Sequence, residues 1–577
     1  MQRVPDSSYR QLYHGRACVQ CSLAGLWHTG SAMFIDTRRL DNGTKIESEV
    51  CVIGGGAAGL TLALELDRRG IGVCLLESGG LEPDEETLDL YRGENAGLPY
   101  SFADECRSRF LGGSSNCWGG WCRPLDEWDF EPRDWVRDSG WPFGRSELVP
   151  YYERAHRVLK LGPPEFDPAF WEAAIGREDV RRIPLNGSRI FDVVSQFSPP
   201  VRFGTDYGDE LKRSRNVDVY LYANAVDIEA DSEALTVKRI QVKTLSGRTV
   251  WAHARLFVLA TGGIENARLL LASNQAQPAG LGNGNDLVGR YFMDHPRLMF
   301  GSVRFSERWA RNKLYDIKFH YQNTAVSAHG TCIAAQFALT PEVQKEEGLL
   351  NSRVWFVSSF PGEGTESVQA LVRCKLRLSG KNEMGHKLSR DILAILANPF
   401  DAARFAAARV FQPRSLIKDV KLQAIVEPAP DPESRVTLSG ERDRLGVPRV
   451  KVGWTLGPMV KRTFDRTFQI LSDELRRQAI AEVKLDAPLE DRDWPGTLEG
   501  TWHHMGTTRM HDSAKHGVVD RECRIHGMTN LYVAGSSVFP TAGANFPTIT
   551  LVALALRLAD RLAREVKSPA RAPGRSP

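Results

Sequence analysis

The order of apolar and polar positions predicts a strand, a glycine turn, a helix and a second strand between residues 49 and 77. Residues 50–53, after Glu49, form an apolar run, residues 54–59 are all glycine or alanine, and an alanine- and leucine-rich stretch leads to Gly70. A second apolar run ends at Glu77. This βαβ order predicts parallel strands of a Rossmann-like sheet.

Alternating apolar residues farther along the chain predict two more groups of strands. The group near 217–262 is typical of a meander that returns to the parallel sheet, and the group between about 295 and 455 favours a large, mainly antiparallel sheet in a separate domain. A helix that is apolar on most faces is predicted near 547–565. The strand-like runs of the second sheet are residues 298–305, 315–322, 331–339, 352–359, 367–376, 419–427 and 434–438.

Length and charge limit the class of protein. A chain of 577 residues exceeds the usual size of one domain, so two interleaved domains are expected. Its 74 lysines and arginines nearly balance 71 acidic residues, which argues against a nucleic-acid partner. No run of about 18 apolar residues occurs and the first residues lack an apolar core, so we predict no stable membrane insertion and no signal peptide. Residues 1–32 and 567–577 are expected to be flexible tails.

The ten cysteines are scattered along the chain. Cys51 and Cys74 fall inside apolar runs, where they would act as small hydrophobic residues, and this pattern favours a reducing, cytoplasmic location. Cys18 and Cys21 form one Cys-x-x-Cys pair without a second pair at metal spacing. A zinc or redox role for that pair remains an alternative.

The glycine turn fits the Gly-x-Gly-x-x-Gly fingerprint of nucleotide-binding folds. Gly54 permits the tight turn, Gly56 lets the backbone approach a pyrophosphate, and Gly59 lets the helix pack closely on the strand. Glu77 closes the second strand, where an acid would accept a ribose hydroxyl. The fingerprint alone does not distinguish NAD from FAD. The candidate nucleotide-binding residues of this unit are Gly54, Gly56, Ala57, Ala58, Gly59 and Glu77.

Residues 111–116, Leu-Gly-Gly-Ser-Ser-Asn, followed by Trp118, resemble the loop that lies along the flavin in the glucose-methanol-choline (GMC) oxidoreductase family. The resemblance implies an α/β (α+β) fold in which a Rossmann-like FAD-binding domain joins a substrate domain with a large antiparallel sheet. The expected FAD-binding domain comprises residues 33–120, 215–295 and 505–566, and the substrate-binding domain residues 121–214 and 296–504. Further family-like segments are residues 260–272, 288–296, 427–436, 503–510 and 541–548.

The resemblance makes FAD the expected cofactor. Val226 matches the position whose backbone meets adenine, although a buried strand valine is an almost equally good interpretation. Cys117 stands where relatives similar to pyranose oxidase carry a histidine linked covalently to flavin, so non-covalent FAD is expected, with a cysteinyl link as the alternative. The other flavin contacts that the resemblance implies are Gly112, Gly113, Ser114, Ser115, Asn116, Gly535, Ser536, Pro547 and Thr548.

Two residues are the expected catalytic pair. His503, in His-His-Met-Gly-Thr, falls on the active-site histidine of the family, and imidazole can accept the hydroxyl proton of an alcohol as hydride leaves. Asn545, in Gly-Ala-Asn-Phe-Pro-Thr, fits the second position and would hold the substrate oxygen. Phe546 is one residue more than the Gly-Ala-Asn-Pro-Thr of pyranose-oxidase-like members. The alternatives are a packed histidine and a helix N-cap.

The leading functional hypothesis is hydride transfer to FAD from a CH–OH group of a sugar, glycoside or related alcohol. Trp118, Trp121 and Trp141 could stack on sugar faces or lie in the core. Oxygen or another acceptor would reoxidise the flavin. The alternatives are a sterol or long-chain alcohol oxidase, a non-redox enzyme similar to hydroxynitrile lyase, and a flavin subunit that needs an electron-transfer partner.

Overall fold

The computed structural model describes residues 34–101, 107–309, 312–319, 326–360, 362–378, 388–411, 419–490 and 492–568. No helix within these ranges is long and apolar enough to cross a membrane. The strands are β1 Phe34–Asp36, β2 Lys45–Ile53, β3 Val73–Leu76, β4 Gly93–Asn95, β5 Trp121–Cys122, β6 Ile190–Phe197, β7 Val217–Leu221, β8 Asn224–Ala230, β9 Val237–Lys243, β10 Thr249–Leu259, β11 Pro296–Phe305, β12 Ser327–Ala328, β13 Thr331–Leu339, β14 Ser352–Ser359, β15 Asp419–Val426, β16 Arg435–Arg442, β17 Pro448–Gly453, β18 Ala481–Lys484, β19 Glu499–Gly500 and β20 Leu531–Val533. The helices are α1 Ala57–Asp67, α2 Glu85–Asp89, α3 Val149–Val158, α4 Pro168–Ile175, α5 Phe203–Asp206, α6 Gly208–Arg213, α7 Gly263–Ala272, α8 Pro341–Glu347, α9 Glu366–Leu378, α10 Leu388–Ala397, α11 Pro399–Phe411, α12 Pro458–Arg477 and α13 Thr548–Lys567.

Eight of the described strands form a Rossmann-like sheet. Its order is β1-β7-β3-β2-β10-β9-β8, with β20 also beside β10. The neighbours β1, β7, β3, β2 and β10 pair in parallel, and β20 pairs in parallel with β10. The strands β10, β9 and β8 form an antiparallel meander. The whole of β3 and the second half of β2 are buried, as expected for parallel strands with both faces covered. The predicted βαβ unit is confirmed.

A second, nine-stranded sheet is antiparallel at every strand pair. Its order is β18-β11-β15-β14-β13-β6-β5, with β12 on β13 and β19 on β11. Alternate residues face opposite sides. On one side, Phe300 of β11 stacks on Phe468 of α12, with ring centroids 4.7 Å apart. On the other side lie Trp355 of β14 and Gln423 of β15, which face each other across the ladder. The mixed fold with one parallel and one antiparallel sheet is confirmed.

The predicted domain limits remain a prediction. All strands of the first sheet lie within residues 33–120, 215–295 and 505–566. A three-stranded sheet, however, joins β4 to β17 and β16, so it crosses the predicted border. The segment 434–438, predicted for the large sheet, belongs to this small one.

Two predicted strands are wrong. Residues 367–376 lie in α9, because Val368, Leu371 and Val372 are spaced as on one helix face and pack against the small core of Phe360 and Phe405. The described part of 315–322 contains a 3₁₀ turn at Ile317–Phe319 instead of a strand. The Asp316 carboxylate accepts the backbone N–H of Lys318 at 3.0 Å and so turns the chain. The two predicted tails and the Cys18–Cys21 pair lie outside the described residues, except that α13 includes Lys567.

Candidate active site

A long cavity lies between the two sheets and is lined by residues of both. One end is formed by the glycine turn after β2, the loop that follows Gly112, and the starts of α7 and α13. The other end is formed by side chains of β5, β11, β14 and β15. The segment that contains His503 lines the cavity between these two ends. The fold therefore joins a nucleotide-shaped cradle to a chamber lined by side chains.

The glycine turn provides the backbone surface of the cradle. Gly54 has a φ of +109°, and a Cβ there would lie 2.6 Å from the carbonyl oxygen of Ala260. A Cβ on Gly59 would overlap the carbonyl oxygen of Gly54, so α1 can pack against the turn only without a side chain. Gly56, in contrast, faces open space and caps the N-terminus of α1. Free backbone N–H groups at such a helix start favour a phosphate.

Glu77 holds the turn in place from the end of β3. Its two carboxylate oxygens accept the backbone N–H groups of Gly55 at 3.0 Å and Gly79 at 2.8 Å. Burial raises its pKa, while these hydrogen bonds and the nearby charge of Arg109 act in the opposite direction. Glu77 also borders the cavity. It therefore stays in reach of a ribose hydroxyl while it fixes the loop.

The loop after Gly112 packs directly on the glycine turn. The N–H of Gly112 donates to the carbonyl oxygen of Gly55 at 2.8 Å, and a Cβ on Gly113 would lie 3.0 Å from the Cα of Gly56. Ser114 and Ser115 then line the cavity beside the turn. Two motifs that are separated in sequence by more than 50 residues thus form one surface.

Two further helices point their N-termini at the cavity. Gly262 and Gly263 start α7, and Pro547 and Thr548 start α13; all four residues line the cavity. Gly262 has a φ of +90° and faces open space. The positive ends of these helix dipoles would stabilise negative charge on a bound cofactor. The sequence resemblance includes the start of α7 only as a family-like segment, although its paired glycines after a strand repeat the signal of the first turn.

His503 lies where the cradle meets the chamber. Its backbone N–H donates to Asp294 at 2.8 Å, and its Nδ1 lies 2.8 Å from Thr501 Oγ1 and 3.0 Å from Nδ1 of His295. No described residue forms a hydrogen bond with its Nε2. The ring stands perpendicular to Phe546, with centroids 5.5 Å apart.

The acceptors around His503 determine which ring nitrogen carries the proton. Nε2 of His295 lies 2.8 Å from the carbonyl oxygen of Gly543, which only accepts, so the neutral ring of His295 has its proton on Nε2 and a lone pair on Nδ1. The hydroxyl of Thr501 donates to the carboxylate of Asp294 at 2.9 Å and therefore also presents a lone pair. Both contacts require the proton of His503 to be on Nδ1. Its Nε2 is then a lone pair.

Electrostatics keep these histidines neutral. Burial, together with the nearby His295, His504 and Arg297, lowers the pKa of His503 well below its ordinary value. Burial also lowers the pKa of His295, and it lowers the pKa of His504 to about 3. His504 borders the cavity as well, where its ring lies against Tyr100 and Phe292.

Asn545 is absent from the cavity lining, so the expected pairing with His503 stays a prediction. Its side chain is buried, its Oδ1 accepts from Arg353 at 2.9 Å, and its Nδ2 donates to the carbonyl of Pro124 at 2.8 Å and to Asp126 at 3.2 Å. In this structure the amide N–H groups and one lone pair of the amide oxygen serve this buried network. The extra residue, Phe546, faces the cavity instead.

The chamber beside His503 combines aromatic walls with polar groups. Trp121 packs on Phe546 and Trp355, with centroids 4.6 and 5.6 Å away. Gln423 accepts from the indole N–H of Trp355 at 3.0 Å, and Arg297 also lines this end. Aromatic faces with a few polar groups are typical of a small-molecule site.

The three tryptophans suggested as sugar platforms have different positions. Trp118 lines the cavity and donates its indole N–H to the carbonyl of Val201 at 2.9 Å. Trp121 also lines the cavity. Trp141 packs on Phe130 in the core. Trp118 and Trp121 therefore border the site, whereas Trp141 has a structural position.

Most of the site residues expected from the sequence border the cavity, and five do not. Val226 is absent from the lining because successive strand residues face opposite sides, so that Ala225 faces the cavity in its place. Gly59, Gly112 and Asn116 support the cradle from behind; the Asn116 amide donates to the carbonyl of Leu111 at 3.0 Å. The fifth is Asn545. The lining residues are His503, Gly54, Gly56, Ala57, Ala58, Glu77, Gly113, Ser114, Ser115, Gly535, Ser536, Pro547 and Thr548.

Comparisons with known proteins agree with this geometry. Residues 430–555 match the model of the GMC oxidoreductase C-terminal family, and residues 47–85 match that of an FAD-binding domain. The fructose dehydrogenase large subunit of Gluconobacter japonicus is 24% identical, over 90% of this chain and 99% of its own length. Paromamine 6'-oxidase of Streptomyces fradiae is also 24% identical, over 90% and 92%. A formate oxidase structure from Aspergillus oryzae has a TM-score of 0.53 at 17% identity and covers 91% of this chain and 99% of that one.

Proposed function

We propose that this chain, which carries a GMC oxidoreductase domain and uses FAD, oxidises a CH–OH group of a sugar, glycoside or related alcohol. The observation that carries the proposal is the lone pair on Nε2 of His503, located where a dinucleotide cradle opens into a chamber. The names of the relatives support it, because both act on hydroxyl-rich compounds or their derivatives by redox chemistry.

The cradle fits FAD at several points. Gly56, Gly262 and Gly535 leave open space where a side chain would stand, and the start of α1 provides free N–H groups for a pyrophosphate. Glu77 would accept a ribose hydroxyl, and the start of α13 would hold the polar edge of the ring system. When bound, FAD supplies the hydride acceptor.

His503 is proposed as the general base. A hydride leaves a carbinol carbon readily only as its hydroxyl proton is lost, and Nε2 is oriented to receive that proton. Because its low pKa keeps the ring neutral, the base is ready at neutral pH. When Nε2 takes the proton, the Nδ1–H stays hydrogen-bonded to His295 and Thr501, which stabilises the positive ring.

The chamber favours a polyol or glycoside over a purely apolar alcohol. Trp121, Trp355 and Phe546 offer flat faces on which a sugar ring can stack. Gln423 and Arg297 add polar groups to the same wall, and polar groups among aromatic faces suit a hydroxyl-rich ligand. Because Asn545 serves the buried network in this structure, we propose that groups of the antiparallel sheet hold the substrate oxygen.

An anaerobic absorbance titration of the purified flavoprotein tests the proposal. We expect glucose, methyl glycosides or an aminoglycoside to bleach the flavin band, and a long-chain alcohol to act poorly. His503→Ala should retain FAD but reduce it about 10²- to 10⁴-fold more slowly. His516→Ala, an exposed histidine far along the same segment, is the matched control and should behave as the parent. Flavin that no hydroxyl compound bleaches would contradict the proposal and favour the lyase alternative.

The electron acceptor is the second part of the proposal. We propose that either oxygen or a redox partner takes the electrons from the reduced flavin. Readmission of air after bleaching distinguishes the two, because fast recovery identifies an oxidase. Persistent bleaching that a quinone or dye reverses identifies a dehydrogenase.

A further inference from the structure

The helices between β14 and β15 carry an exposed apolar surface, which we call the apolar face. It consists of Leu388, Ile392, Leu393 and Leu396 of α10 and Phe400 of α11, which are 52%, 46%, 66%, 66% and 67% exposed. Leu388, Ile392 and Leu396 are four residues apart and form one stripe, with Leu393 beside it. Contiguous exposed apolar side chains of this size mark a site of interaction.

The orientation of α10 is the reverse of an ordinary surface helix. Its acidic residue, Asp391, points inward and is buried, whereas its leucines point to solvent. Asp391 accepts from Arg373 at 2.7 Å and from Arg377 at 2.5 Å, both on α9. A buried carboxylate with two arginine partners is strongly destabilised if its partners are lost. This ion pair therefore fixes α10 with its apolar face outward.

The charge around the apolar face is positive. Arg390 and Arg404 are exposed beside it, and the guanidinium of Arg404 lies 5.4 Å from the ring centroid of Phe400. Over residues 366–418 the sequence contains ten lysines and arginines against four acidic residues, although the whole chain is nearly balanced. An apolar stripe flanked by basic residues is typical of a helix that lies in the surface of an anionic membrane.

The position of these helices connects them with the proposed site. The chain leaves β14 at Ser359 and returns to β15 at Asp419, which pair with each other at the end of the ladder. Four residues farther along the same two strands lie Trp355 and Gln423, which line the chamber. At about 3.3 Å per residue, the ends of β14 and β15 at which this segment leaves and rejoins the sheet lie roughly 13 Å from the chamber wall.

We propose that the apolar face docks this protein on the surface of an anionic lipid bilayer. The leucines and Phe400 enter the boundary between headgroups and acyl chains, and the arginines contact the anionic headgroups. None of the helices that the structure describes spans the bilayer in this arrangement. The substrate end of the cavity is then held close to the membrane, where a lipid-bound electron acceptor or a membrane glycoside would be within reach.

A vesicle flotation assay with the full-length flavoprotein tests the docking. We expect the protein to bind vesicles of phosphatidylcholine with phosphatidylglycerol, and to bind phosphatidylcholine alone and high-salt samples much less. The double variant Leu393→Glu with Leu396→Glu should weaken binding to anionic vesicles at least about tenfold, because it places charge on the apolar face that enters the bilayer. Leu81→Glu is the matched control, since Leu81 is 52% exposed but lies outside these helices, and should bind as the parent does.

Several outcomes would overturn the proposal. The first is a parent protein that does not bind anionic vesicles. The second is a double variant that binds them as well as the parent does. The third is equal binding to vesicles with and without phosphatidylglycerol. Light scattering provides a further one: a parent dimer that the double variant converts to monomer would identify the apolar face as a subunit interface. Flavin content and reduction of the flavin by a soluble substrate should be unchanged in both variants, so a loss of binding cannot be attributed to unfolding or to a failure of the proposed function.

Discussion

Replacement of His295 tests whether its lone pair holds His503 in the reactive tautomer. His295→Asn places Oδ1 near the position of the present Nδ1, so it keeps an acceptor 3.0 Å from His503 and loses the contact with Gly543. His295→Gln keeps a donor near Gly543 but loses the acceptor. The two variants differ by one methylene group in size and in which contact survives.

The expected losses follow from the hydrogen bonds involved. Loss of the acceptor leaves the Nδ1–H of His503 with Thr501 alone, and a weakened buried hydrogen bond costs about 1–3 kcal/mol. That range corresponds to a roughly 5- to 150-fold slower proton transfer for His295→Gln. His295→Asn should stay within about fivefold of the parent. Both should remain faster than His503→Ala, which removes the base.

Stopped-flow reduction of the flavin, measured across pH, is the assay. If His295 acts through His503, His295→Gln lowers the reduction rate and moves its acid limb, while the KM for substrate changes little. The reasoning is refuted if His295→Asn and His295→Gln lose the same activity, or if only KM changes. Either result would mean that His295 only fills space under the loop of Gly543.

Two substitutions, the pH dependence of stability and the mode of flavin attachment provide further tests. Asn545→Ala should lower the free energy of unfolding by about 1–3 kcal/mol in denaturant titrations, with flavin reduction by substrate largely preserved, because its amide serves the buried network around Arg353. Gly59→Ala should yield protein with little bound flavin, because the new methyl group overlaps the carbonyl oxygen of Gly54. The ratio of flavin to protein absorbance measures this. Gly70→Ala, where nothing lies within 4 Å of the new methyl group, is the milder comparison. The contribution of His504 to the free energy of unfolding should be fully present above pH 6.5 and fall as the pH drops toward its folded-state pKa of about 3, because the unfolded chain binds the proton first. The slope is about 1.4 kcal/mol per pH unit for this residue. A stability that rises on acidification in denaturant titrations would contradict this. Acid precipitation should release all flavin into the supernatant, since burial raises the pKa of the Cys117 thiol and leaves it protonated and unreactive.

Local sequence was sufficient to predict the nucleotide cradle. The turn at Gly54 and the packing at Gly59 depend on contacts within one βαβ unit, so a short pattern of glycines and apolar residues specifies them. The prediction of a strand at 367–376 failed for the opposite reason. Its branched residues suit a strand, but the spacing of Val368, Leu371 and Val372 also matches a helix, and contacts with Phe405 decide between the two.

The positions of Asn545 and His295 relative to His503 could not be predicted in the same way. The position of Asn545 depends on Arg353 and Asp126, which are remote in sequence, and one additional residue turns its amide away from the cavity. His295 was visible in the sequence only as part of a family-like segment. Its relation to His503 arises from two strands, β11 and β19, that place residues 295 and 501 side by side.

Phe546, the extra residue of this strip, faces the cavity and lies against the ring of His503. An apolar ring against His503 helps to exclude water and to keep the imidazole neutral, so the base needs no polar neighbour on the cavity side. Its proton is instead fixed from behind by His295 and Thr501. We predict that the wall formed by β14 and β15 orients the substrate oxygen. Substitutions on β14 and β15 should therefore change which hydroxyl compound is oxidised, and leave the pH dependence of the base unchanged.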